Sequence, residues 1–70
     1  MNKHQVFQLV EKANALVNQA KECLRDKELV EANNRIDEAL RIKQTLTNAL
    51  KLNKGAAYEV IRDAIGTLSF

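Results

Sequence analysis

VFQLVEKANALVNQAKECL, running from Val6 to Leu24, is the stretch that decides the fold. Val6, Val10, Ala13, Val17, Ala20 and Leu24 alternate steps of four and three, and Leu9, Leu16 and Cys23 follow seven apart beside them. That spacing is the repeat of one helix face, and the stripe covers about three positions in seven, wide enough to touch two neighbouring helices. Gln8, Glu11, Lys12, Asn18, Lys21, Glu22 and Arg25 form the opposite, polar face. A helix over about residues 3–25 is expected, roughly 35 Å long at about 1.5 Å per residue.

Downstream, a second stripe runs Leu29, Ala32, Ile36, Ala39, Leu46 and Leu50, widened by Leu40 and Ile42, with Lys43 where the alternation expects an apolar residue. The spacing predicts a helix over about 27–53. Lys43 is expected at the exposed edge of the stripe, its stem over apolar surface and its head in water. Arg25-Asp26-Lys27-Glu28 separates the stripes without Gly or Pro, so the break is read from its chemistry. Asp26 can accept from the first free amides of a new helix, and Glu28 and Glu31 suit its positive end. Two other readings stand beside this preferred one: a break at Asn33-Asn34 with Asn34 as cap, or an uninterrupted helix of about 50 residues needing partner chains along its length. The stretch from Asp26 to Ala32 resembles the turn of tetratricopeptide-type helical hairpins. Only one such unit would fit, its signature aromatics and Pro are absent, and the resemblance implies no function.

Asn53-Lys54-Gly55 is a stop signal, with Gly55 as a left-handed terminator. Ala57, Val60, Ile61, Ala64, Ile65 and Leu68 then share one face of a helix expected over about 56–68. The fold class is therefore all-α: an antiparallel hairpin plus a shorter third helix, a three-helix bundle within one domain of residues 1–70.

Size presses this bundle toward assembly. A chain of 70 residues buries only about 60% of the surface its unfolded form exposes, and domains so small usually add a disulfide, a metal, very regular packing or self-association. Cys23 is the only cysteine and His4 the only histidine, so neither a disulfide within the chain nor a structural zinc site can form. A homo-oligomer is expected. The net charge is only +2 and the apolar share is 46%, which argues against disorder. No run approaches a membrane span, the first residues do not read as a signal peptide, and a cytoplasmic location is expected.

Catalysis finds little support. Nucleophilic chemistry needs a base beside the nucleophile, whereas His4 falls in the first turn and Cys23 shares the apolar stripe as a small hydrophobe. Asp37 with Glu38, or Glu28 with Glu31, have the spacing of a solvated helix face as much as of an acid–base or divalent-ion site. There is no phosphate loop and no metal-ligand pattern, and no cofactor is implied.

Two kinds of binding surface remain. Arg41, Lys43, Lys51 and Lys54 fall between Glu38 and Glu59, where no acid occurs. An antiparallel hairpin brings Lys51 and Lys54 toward Lys3 and His4, beside Gly55 and the free amides that open the third helix, and helix starts attract phosphate or carboxylate. Tyr58 or Phe7 could stack a base there, and Arg62 lies on the third helix. The candidate ligand site is thus Lys3, His4, Lys51, Lys54, Gly55, Tyr58 and Arg62. With 11 basic against 9 acidic residues, nucleic acid is a weaker partner than a phosphorylated small molecule. The candidate interface is Phe7, Leu9, Leu16, Leu40, Leu46, Leu68 and Phe70, Phe70 either folding back on its own bundle or inserting into a neighbour. The first expectation is a small non-enzymatic binding protein of inhibitor or adaptor type, of the kind phages and plasmids often encode, acting on itself and on another protein. An oligomer sequestering a phosphorylated metabolite or signalling nucleotide comes second, and a nucleic-acid accessory protein third.

Overall fold

The computed structural model describes residues 1–52, 56–68 and 70. Three helices appear in order, α1 (Lys3–Arg25), α2 (Leu29–Leu52) and α3 (Ala56–Gly66), and the described residues contain no strand.

The first helix starts where two side chains satisfy its free amides. The Gln5 amide donates to Asn2 Oδ1 and the Asn2 amide donates to Gln5 Oε1, both at 2.9 Å, a reciprocal capping box. Its far end differs from the expectation. Asp26 does not open the second helix; it caps the C-terminus of the first, its amide donating to the Glu22 carbonyl. Lys27 follows with φ of 62°, donating to the Leu24 carbonyl at 3.1 Å, and Glu28 donates to the Cys23 carbonyl at 2.8 Å. These two bonds are the Schellman arrangement, in which a left-handed residue lets the chain turn back and close the last carbonyls. Here Lys27 takes the role that glycine usually fills. The second helix then begins at Leu29 rather than residue 27, with Ala32 donating to the Glu28 carbonyl at 3.0 Å. Asn33 and Asn34 lie inside it, so the chain reverses at residues 26–28 and is not one continuous helix.

The α1 and α2 helices pack along their length, and α3 lies against both. The larger core cluster joins Val6, Ala13, Leu46, Ile61, Ala64 and Leu68 at the end away from the turn. A smaller cluster of Leu16, Val17 and Ala39 sits nearer the middle, with Ile36, Ile42 and Phe70 against it. Toward the turn the buried residues are Ala20 and Ala32, whose short side chains let the helix axes approach but bury little apolar area. The hairpin is consequently well filled at one end and thin at the other. At about 1.5 Å per residue α3 is roughly 17 Å long, while the molecule extends 44 Å. It covers one half of the hairpin.

The third helix ends at Gly66, short of residue 68, because Thr67 closes it: its amide and its hydroxyl both donate to the Ala64 carbonyl, at 3.0 and 2.7 Å. Leu68 is buried beyond the helix and Phe70 folds back onto the chain's own core. Lys43 also departs from expectation. Its ammonium donates to the Phe70 main-chain oxygen at 3.0 Å and lies 5.5 Å from the centre of the Phe70 ring. A partner 27 residues away in sequence holds the head that was expected in water.

Candidate interaction surfaces

Three surfaces are presented by this architecture: the end where α1 starts and α2 stops, the outer face of α2, and the turn half of the hairpin. The first holds the expected basic site. The start of α1 places Lys3 over the Phe7 ring, 5.5 Å from its centre, so an exposed aromatic face carries a cation. Lys3 and Phe7 form one wall of an open groove of about 290 Å³, facing Val60, Asp63, Ala64 and Thr67. The groove is apolar at its base, with one cation and one anion at its rim. A carboxylate in that position works against phosphate binding. His4, Lys51 and Tyr58 are exposed, and no described hydrogen bond, ion pair or ring contact joins them to one another. Arg62 turns to its neighbour Asp63 at 3.6 Å. Lys54 and Gly55 lie outside the described residues. The structure thus brings together Lys3 and Phe7 of the expected ligand site and adds Val60 and Asp63, which the sequence reading did not select. Met1, Leu52 and Tyr58 are also exposed at this end.

Along α2, Glu31, Asn34, Arg35, Asp37, Glu38 and Arg41 line a shallow polar hollow of about 430 Å³. Glu31 accepts a salt bridge from Arg35 at 3.1 Å across one helical turn. Two guanidinium groups stand among three carboxylates here, which offsets most of the negative charge that would gather a cation. Among the described residues no group of three His, Cys, Asp or Glu is arranged to hold a metal. Nor is any described helix long and apolar enough to cross a membrane.

The turn half is the third surface. Leu24 is 54% exposed, Leu29 66%, Val30 78% and Leu40 48%, so four large aliphatic side chains between the turn and the middle of α2 remain in water. Of the expected interface residues, Leu16, Leu46 and Leu68 are buried in the chain's own core, and Leu9 and Phe70 are half-buried against it. Phe7 and Leu40 keep free surface. Leu29 and Val30 were missed as surface residues, because the hydrophobic spacing alone does not tell an inward-facing leucine from one left over after the hairpin closes.

Cys23 sits near the turn, half-buried. Burial, and then the carboxylates of Glu28 and Glu31, push its thiol above the ordinary cysteine range, against a smaller pull from Arg35. A thiol so placed is a weak nucleophile at neutral pH.

Comparison with known protein families, with curated proteins and with solved structures finds no match. The surfaces themselves carry the functional reading.

Proposed function

We propose that this chain is a small non-enzymatic binding protein, of inhibitor or adaptor type, that self-associates through the turn half of its hairpin and presents its opposite end to another macromolecule. The observation that carries this reading is that Leu24, Leu29, Val30 and Leu40 stay in solvent on a hairpin that α3 covers over only half its length. Water against four large aliphatic side chains is costly, and burial of apolar area is what drives protein association. The opposite end combines exposed Met1, Phe7, Leu52 and Tyr58 with Lys3, His4 and Lys51, which suits a partner with an apolar patch edged by acids.

Affinity capture from the native host, with wild-type chain beside a Phe7→Glu, Leu52→Glu double variant, tests the partner-binding part. A macromolecule retained by wild type and lost by the variant is the expected result. Equal recovery with both, or no specific recovery with either, overturns it.

Sequestration of a phosphorylated small molecule ranks lower, because the groove that Lys3 lines also carries Asp63. Nucleic-acid binding ranks below that, since acids and arginines alternate along the outer face of α2.

A further inference from the structure

Lys43 interrupts the apolar face of α2 with a charge, one turn after Ala39 and one turn before Leu46, both of which are fully buried. Lys43 itself is half-buried, and among the described residues no Asp or Glu side chain lies within ion-pair distance of its ammonium. A charge drawn out of water without a partner is costly. Phe70 supplies the partner: its main-chain oxygen accepts from Lys43 Nζ at 3.0 Å, and the centre of its ring lies 5.5 Å from the same nitrogen. Phe70 also packs against both core clusters. The place it occupies is therefore a socket with an apolar floor and a cationic rim, matched to an aromatic ring that offers a main-chain oxygen beside it. That socket is filled from beyond α3. The helix closes at Thr67, and the buried Leu68 anchors the chain on the core before Phe70 is reached. The ring can thus leave while α3 stays docked, a local opening that gives up the contacts of one residue.

We propose that this socket is a binding site for an aromatic residue on a non-helical segment of a partner protein, and that Phe70 is the ligand that occupies it in cis. The chemistry of the occupant defines the class. An incoming residue needs a ring for the apolar floor and for the face of the Lys43 cation, and a main-chain oxygen left free by its own secondary structure, as that of Phe70 is left free by the end of α3. The site is separate from the self-association proposed above, since Leu24, Leu29, Val30 and Leu40 belong to neither core cluster. Phe70 acts as a tethered competitor. A half-buried ring with a cation contact holds the closed state by roughly thirtyfold. About one chain in thirty then stands open, and the apparent affinity for an outside ligand falls by the same factor.

The probe is N-acetylphenylalaninamide, one aromatic residue with its main-chain oxygen, titrated into the chain and followed by amide NMR shifts. Phe70→Ala empties the socket and is expected to bind the probe, with shifts centred on Ala39, Lys43 and Leu46. Wild type should bind it about thirtyfold more weakly. Adding Lys43→Met to Phe70→Ala should weaken binding at least about fivefold, because the hydrogen bond and the cation–π contact are lost together. A folded Phe70→Ala chain that does not bind the probe, or that binds it equally well with Lys43→Met, overturns the site. In wild type, relaxation dispersion at Phe70 should report an open state of about one chain in thirty, while the amides of Ile61 and Ala64 stay protected from hydrogen exchange well beyond about thirtyfold because α3 remains docked. Absence of that local exchange overturns the role of Phe70 as an exchangeable ligand, and it decides alone should Phe70→Ala lose its helices.

Discussion

The Lys43 ammonium donates to the Phe70 main-chain oxygen at 3.0 Å while lying 5.5 Å from the centre of the same residue's ring. One cation thereby binds both the backbone and the aromatic face of a residue that bridges the two core clusters. Charge-assisted hydrogen bonds and cation–π contacts gain strength as water is excluded, and both groups are half-buried. Replacing Phe70 by Ala removes ring and cation–π contact together and should cost about 2 kcal/mol. Lys43→Met keeps the stem and loses the head, for about 1 kcal/mol. Urea denaturation followed by circular dichroism measures both, and the double variant should lose less than the sum of the single losses.

The turn carries strain that can be removed. Lys27 occupies the left-handed region at φ of 62°, which costs a residue bearing a Cβ about 1 kcal/mol. Lys27→Gly should stabilise the chain, by no more than about 1 kcal/mol because glycine also gains freedom in the unfolded state. Thermal denaturation at fixed protein concentration would register this as a rise in Tm.

At the other end of α1, the reciprocal bonds of Asn2 and Gln5 satisfy amides that the helix itself leaves free. Asn2→Ala should cost about 1 kcal/mol. Amide exchange in the first turn of α1 should accelerate more than exchange near Leu46, where the core is sealed.

Cys23 gives a pH-dependent signature. Its thiol is raised by burial and by Glu28 and Glu31, so alkylation by iodoacetamide should be slower than that of a free cysteine, with its pH midpoint displaced upward. Glu31→Gln should move the midpoint back down. Because the folded value lies above the unfolded one, the contribution to stability is complete below the unfolded pKa of about 8.5 and is lost as pH rises past it toward the folded value. Alkaline titration of wild type against Cys23→Ala should show that difference, with Cys23→Ala losing less stability above pH of about 8.5.

Much of the fold was legible in the alternating steps of Val6, Val10, Ala13 and Val17, since a stripe of that width has few ways to be buried. Local geometry was harder. Lys27 gives no glycine signal, so its left-handed turn, and with it the role of Asp26 as an end rather than a beginning, follows only from the backbone. Lys43 looked like a break in a hydrophobic pattern because the residue that satisfies it, Phe70, is distant in sequence and near in space. For the surfaces the obstacle was different: Leu16, Leu40 and Leu46 have the same chemistry and similar spacing, and only the packing of α3 and Phe70 decides which of them remains in water.

Whether the chain self-associates is decided by the mass of the wild-type protein in solution. Light scattering on a sizing column, loaded at rising concentration, should give a mass that climbs from the 7.9 kDa of one chain toward that of two. A mass that stays at 7.9 kDa at every concentration would rule out self-association and leave Leu24, Leu29, Val30 and Leu40 in water.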